Sequence, residues 1–321
     1  MNNPKVSILI PAYNPGSELI EAINSAINQI YKNIEILVID DGSNNKFYLN
    51  ESKKKFEFYD NIIFLELKNN QGVSSALNFG IDNSKGEYIS WLSHDDLFSK
   101  YKIKKQINFL SKNIEAKIVS SNAIVFNRKI KYFKKFNLKK DMFTFSDLFY
   151  NDKVNGCSIL LDKKIFSEYR FDVNLRYTQD YDLWLRISKK YKIYHLNKYL
   201  IYSRRHLSQD TITHNKEVLQ EIENLSLNYL NNFIFENYYF KNQKKIFVSI
   251  YFFSYRGKIK TVNKIIRNFF SVNDKNLFLN LIYSFVFLTI TTFGLFLNKI
   301  RFIYNNLINL RIHNYESYQN K

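Results

Sequence analysis

Apolar positions follow two alternating rhythms through about the first hundred residues of the chain. Val6 to Pro11 is a short continuous apolar run, the pattern of a strand buried on both faces. After a Pro15-Gly16-Ser17 turn, Leu19, Ala22, Ile23, Ala26, Ile27 and Ile30 recur at helical spacing. Ile34 to Ile39 is a second buried run, closed by Asp40-Asp41-Gly42-Ser43. Ile62 to Leu65 reads as a third strand, Val73 to Asp82 as a helix, and Glu87 to Leu92 as a fourth strand ending at Ser93-His94-Asp95-Asp96. Such alternation predicts βαβ units and an α/β fold with a mostly parallel, doubly wound sheet flanked by helices.

Beyond Lys117 the order loosens. Ile118 to Phe126 and Cys157 to Leu161 read as strands, Gln179 to Lys190 as a helix, and Ile193 to His195 and Tyr199 to Arg204 as short strands. From Asn215 onward every apolar pattern is helical. The expected organisation is therefore a sheet domain over 1–213 and a helical C-terminal region over 214–321.

Composition sharpens that division. With 45% hydrophobic and 24% charged residues the 321-residue chain is of ordinary globular make-up, which excludes a wholly disordered or fibrous protein. The formal net charge is +18, and Lys241 to Lys321 holds 13 basic residues against 2 acidic ones. A basic tail rich in Tyr and Phe suits the anionic inner face of a membrane better than nucleic acid. Asn276 to Asn298 is free of charge and long enough to span a bilayer, but Asn280, Ser284, Thr289, Thr291 and Thr292 dilute it, so an interfacial helix is the competing reading. The single cysteine, Cys157, cannot form an internal disulfide, and the apolar run after Met1 is too short for a secretory signal. Both fit a cytoplasmic protein held at the cytoplasmic face of the membrane.

In open α/β sheets, ligands bind beyond the carboxyl ends of the strands. Those ends read Pro11-Ala12-Tyr13-Asn14, Asp40-Asp41-Gly42-Ser43 and Ser93-His94-Asp95-Asp96. One acidic turn is an ordinary loop signal; two, each directly after a buried strand, point to a site. Neither G-x-G-x-x-G nor G-x-x-x-x-G-K-[ST] is present, which argues against a dehydrogenase or a P-loop enzyme. Carboxylates in place of a glycine cradle suggest phosphates reached through a divalent metal, Mg²⁺ or Mn²⁺.

VSILIPAYN, IEILVIDDGSNN, NNQGVSSALNFGI, KGEYISWLSHDDL and YTQDYDLWLRI, in this order and spacing, resemble the family 2 glycosyltransferases of the GT-A fold, over roughly Lys5 to Thr211. The resemblance implies transfer of a sugar from a nucleotide-diphosphate donor to a hydroxyl acceptor, inverting the anomeric centre, with a lipid-linked glycan of bacterial capsule or O-antigen type as acceptor. It implies that Tyr13, beside Pro11, stacks on the base and that Asp41, next to Asp40, accepts hydrogen bonds from base or ribose. Ser93 stands where the family keeps the first acid of its D-x-D motif, leaving Asp95, helped by Asp96, as the expected metal ligand. Asp180 matches the catalytic base, although Gln179 precedes it where the family often has Glu. Arg204, Arg205 and His206 resemble the segment near the diphosphate, and Asn155 and Gly156 the acceptor region. No Q-x-x-R-W motif is present, so single addition is expected rather than processive synthesis. The competing readings are a sugar-nucleotide nucleotidyltransferase, which lacks its glycine-rich loop here, and a catalytically idle nucleotide-sugar-binding adaptor, suggested by Ser93 and Gln179.

Overall fold

The computed structural model describes residues 3–127, 132–136, 138, 140–151, 154–207, 209–229 and 290–299. The chain divides into two compact units, Met1–His206 and Leu207–Lys321. In the first, the elements are β1 (Val6–Ala12), α1 (Glu18–Ile27), β2 (Ile34–Asp40), α2 (Phe47–Lys55), β3 (Ile62–Glu66), α3 (Val73–Asn83), β4 (Tyr88–Trp91), β5 (Leu97–Phe98), α4 (Lys102–Lys112), β6 (Ile118–Asn127), β7 (Tyr132–Phe136), β8 (Met142–Phe143), α5 (Phe145–Asn151), β9 (Leu160–Asp162), α6 (Gln179–Ser188) and β10 (Ile193–Arg204). The second contains α7 (Asp210–Thr213), α8 (Asn215–Tyr229) and a helical stretch over 290–299.

The strands form one mixed sheet in the order β3-β2-β1-β4-β9-β6-β10-β5, with β7 added to β6 and β8 to β10. β1, β2, β3 and β4 run parallel, as do β6 and β10, while β9 is antiparallel to both of its neighbours. Every residue of β1 and β2 is buried, which is why both read as unbroken apolar runs. Leu19, Ala22, Ile23 and Ala26 of α1 join the same core cluster as Val6, Ile8 and Ile10. On α3, a Cβ at Gly80 would lie 3.0 Å from Ile39 Cδ1 and 3.3 Å from Leu9 Cδ2, so a glycine lets this helix sit close against the sheet.

Two expectations are corrected. Gly156–Ser158 is a 3₁₀ turn rather than the start of a strand, because Asn155 Oδ1 accepts the Cys157 N–H (2.9 Å) and Ser158 N–H donates to Asn155 O (2.9 Å); β9 begins only at Leu160. The segments over 193–195 and 199–204 are one strand, β10, whose register against β6 slips between Leu196 and Tyr199 and again between Tyr199 and Ile201. The uncharged stretch from Asn276 lies outside the described residues except for its end in 290–299. No helix among the described residues is long and apolar enough to cross a membrane.

Candidate active site

β1 sends its crossovers to β2 on one side and leads to β4 on the other, so the sheet switches direction beside it. Pro11 lies past the last β1 residue paired with β4, Leu9 opposite Trp91, where the strand ends diverge. Tyr13 follows and is 38% exposed. The loops on this side brace one another. Asn14, held at φ 43°, donates its N–H to Ser43 Oγ (2.9 Å) and accepts the Asn45 N–H on Oδ1 (3.0 Å). Asp40 is buried and accepts the Ser43 N–H (2.8 Å).

Asp41 is also buried, and its two carboxylate oxygens take the N–H groups of Gln71 and Gly72, both at 2.8 Å. Burial raises its pKa, with those backbone donors opposing. Its work within the chain is thus to fix the loop that opens α3, and each oxygen can accept one further bond from a ligand. Gly42 has φ +67°, and a Cβ there would run into the backbone of Asn69 and Asn70. No other residue type fits that crossing without strain.

At the end of β4, Ser93 N–H and Oγ both approach Cys157 Sγ at 3.4 Å, which joins the expected metal motif to the expected acceptor region. Burial pushes the Cys157 thiol far up, so it packs as a neutral group and has no nucleophilic role. Asp95 pairs with His206 Nε2 through Oδ2 at 2.9 Å. Burial raises the Asp95 pKa, but the His206 hydrogen bond and the charges of His94 and His206 outweigh it and the net direction is down.

Asp96 departs from its expected role. It is buried inside the wall, with Oδ1 accepting the Arg204 N–H at 2.8 Å, and desolvation followed by the neighbouring Asp95 charge drives its pKa well up. A carboxyl so placed braces the end of β10 instead of facing a cation. Arg204 departs likewise. Its guanidinium donates to Asp95 O (2.8 Å) and Glu21 Oε2 (3.0 Å), lies 5.0 Å from the Phe126 ring centre, and is only 12% exposed. It ties α1, the 93–96 turn and β6 together; His206, 28% exposed, holds the Asp95 side chain.

Asp180 sits in the first turn of α6. Its carboxylate accepts N–H groups from Tyr181 (2.8 Å) and Gly156, while burial lifts its pKa to about 6. A Cβ on Gly156 would lie 2.5 Å from Trp91 Cζ3 and 2.8 Å from Asp180 Oδ2. Only a glycine lets turn, indole and carboxylate meet this closely. Phe171 stands edge-on to both Trp91 (5.9 Å) and Trp184 (6.4 Å), and Asn78 of α3 clasps the Phe171 backbone with both side-chain atoms (2.9 and 3.1 Å). Asp182, by contrast, is taken up by Arg186 at 2.7 Å.

The 155–159 turn is held from below by residues that no sequence motif singles out. Lys102 Nζ, fully buried, donates to Ser90 Oγ (2.6 Å), Gln106 Oε1 (2.9 Å) and Ile159 O (3.3 Å), and burial draws its pKa down to about 7. Gln106 Nε2 donates to Val119 O (3.1 Å) and Ser158 O (2.7 Å). The signal available was the i, i+4 polar pair beside the buried stripe Ile103, Ile107 and Leu110. Trp91 Nε1 and Gln179 Oε1 are buried with no hydrogen-bond partner among the described residues, a donor and an acceptor of the kind that bound water or a ligand satisfies.

The doubly wound sheet with its acid-rich carboxyl edge is the architecture that the resemblance to the family 2 glycosyltransferases implies. The family model for glycosyl transferase family 2 matches residues 7–169, and the chain belongs to that family. A glycosyltransferase of Rickettsia typhi is 38% identical over 225 residues, spanning 66% of this chain and 67% of the relative. The Escherichia coli UDP-Glc:alpha-D-GlcNAc-diphosphoundecaprenol beta-1,3-glucosyltransferase WfgD is 30% identical over 261 residues, 80% of this chain and 99% of that one. Among solved structures, Staphylococcus aureus TarS 1-349 in complex with UDP-GlcNAc aligns over 83% of this chain and 80% of its own, with a TM-score of 0.60 at 15% identity, a likeness of fold.

Proposed function

We propose that this glycosyltransferase takes a sugar from a uridine diphosphate donor and attaches it, with inversion, to a hydroxyl of a lipid-linked glycan at the cytoplasmic face of a membrane. The E. coli relative acts on a diphosphoundecaprenol-linked acceptor with UDP-Glc, and the TarS structures contain UDP and UDP-GlcNAc. The observation that carries the reading is Asp180, a carboxylate lifted by burial to a pKa of about 6 and seated against Gly156 of the turn whose Cys157 touches Ser93. Near neutral pH it is ionised, yet basic enough to take a proton.

Tyr13 would stack on uracil, with Asp41 and the loop it fixes receiving base and ribose. The orphaned Trp91 Nε1 and Gln179 Oε1 would pair with hydroxyls of the transferred sugar. Asp180 removes the acceptor proton as the acceptor oxygen attacks the anomeric carbon, and the bond to the diphosphate breaks on the opposite face. His206, held by Asp95, would lie beside the departing UDP.

Among the described residues no three His, Cys, Asp or Glu side chains gather as a complete metal site. Asp95 does fit the single carboxylate by which a Mg²⁺ or Mn²⁺ ion is held when substrate phosphates and water complete the shell. Bound there, the ion would neutralise the diphosphate as leaving group.

The test is thermal shift of the purified chain with UDP, GDP and CMP and their sugars, each with Mn²⁺, Mg²⁺ or EDTA. A UDP-sugar at a hundredfold its Kd should raise Tm by roughly 5 to 10 °C. Loss of the shift in EDTA supports the metal; no shift with any nucleotide sugar overturns the reading, and a shift with no turnover favours the idle adaptor.

A further inference from the structure

Among the described residues β7 pairs only with β6, on an edge of the sheet. Phe133 to Phe136 are all exposed, with Phe133 at 65% and Phe136 at 45%. Large rings left in water on an edge strand are unusual, and Lys134 and Lys135 lie between them. The sequence from Arg128 to Lys140, which contains β7, has seven Lys or Arg and no Asp or Glu. The acid that follows in α5, Asp147, is already held by Lys140 and Thr144.

The hairpin is connected to the site. Phe133 stacks on Phe126 at 6.5 Å, and Phe126 carries the Arg204 guanidinium that fixes Asp95. Leu138 N–H returns to Asn122 Oδ1 at 2.9 Å, so the strand's far side is tied to β6 as well. Basic side chains interleaved with exposed aromatics suit phosphates beside an apolar or stacking surface, and the lipid-linked acceptor of the proposed function selects lipid over single-stranded nucleic acid.

We propose that the β6–β7 hairpin is the surface on which this protein meets an anionic bilayer, with the Phe133 and Phe136 rings in the headgroup layer and Lys134 and Lys135 against lipid phosphates. The inference rests on the lipid-linked acceptor of the proposed function. It turns the carboxyl edge of the sheet toward the layer in which a lipid diphosphate would present its sugar.

The experiment is co-sedimentation of the full chain with vesicles of phosphatidylglycerol and phosphatidylcholine in equal parts, and of phosphatidylcholine alone. Wild type should bind the anionic vesicles and release in high salt. The double variant K134Q/K135Q should bind roughly thirty-fold more weakly, and Phe136→Ser several-fold more weakly, both retaining the wild-type circular dichroism and UDP affinity. Equal binding by wild type and both variants overturns the proposal and moves the contact elsewhere in the chain. So does equal binding to neutral vesicles, or a preference for single-stranded nucleic acid over vesicles at matched phosphate. Absence of UDP binding in wild type would instead sink the functional reading and leave the vesicle result standing.

Discussion

Gly156→Ala is the substitution whose consequences the geometry specifies most fully. The added methyl would lie 2.5 and 3.0 Å from the Trp91 ring and 2.8 Å from Asp180 Oδ2, inside contact distance of all three atoms. The indole is packed against Phe171 and cannot swing away freely, so the 155–158 turn must retreat. Overpacking of this kind costs about 1–3 kcal/mol, or roughly 3 to 10 °C in Tm for a unit of this size. The retreat takes the Gly156 N–H away from the Asp180 carboxylate. Because that bond lowers the Asp180 pKa, its loss lets burial push the group above its value of about 6. Turnover should therefore fall on the order of a hundredfold, as for a misplacement of about 1 Å. The acidic limb of the rate profile should also move to higher pH, while UDP affinity stays that of wild type. Steady-state kinetics across pH 5 to 9 with calorimetric UDP titration reads all three. A variant with wild-type turnover and an unmoved pH limb would refute the claim that this glycine seats the base.

Other outcomes follow from the same contacts. Asp180 is held above its unfolded pKa, so its ionisation costs stability that is fully lost above pH ~6 and recovered as pH falls toward ~4; Asp180→Asn should then raise Tm at neutral pH, by up to about 3 kcal/mol in free energy, with no gain at pH 4. An equal Tm gain at both values would contradict that linkage. Arg204→Met removes the bonds to Glu21 and Asp95 O and the contact with Phe126, and chemical denaturation should show a loss of about 2 kcal/mol; an unchanged midpoint would mean that the guanidinium braces nothing. Cys157, buried with its thiol pushed up, should resist iodoacetamide at pH 8.5 in the folded protein and react fully in denaturant. Rapid alkylation of the native chain would show that the turn opens.

The strands that build the carboxyl edge were legible because β1 and β2 are buried on both faces, and a short unbroken apolar run between turn residues fits little besides such a strand. The acidic turns after them were legible for the same reason, their position being fixed by the strands. What could not be read was contact across distance in the chain. Nothing in Gly156 announces that it lies against Asp180 and Trp91, because the signal is a missing Cβ. Asp96 and Arg204 looked like ligand groups since an acid and a base at a loop end are indistinguishable, in sequence, from an internal brace. Lys102 belongs to no motif, and only the fold reveals its ammonium beneath the 155–159 turn. The 3₁₀ turn at Gly156–Ser158 was hidden by the apolar residues that follow it.

Whether Asp180 is the base of a transfer from a nucleotide sugar is tested most directly in a single turnover. Wild type and Asp180→Asn are each mixed with the donor that gives the largest thermal shift and with a lipid-linked acceptor, and release of UDP is followed. The substitution should slow transfer by roughly 10² to 10⁴ and leave UDP affinity intact. Transfer at the wild-type rate by Asp180→Asn would contradict the assignment of this carboxylate as the base.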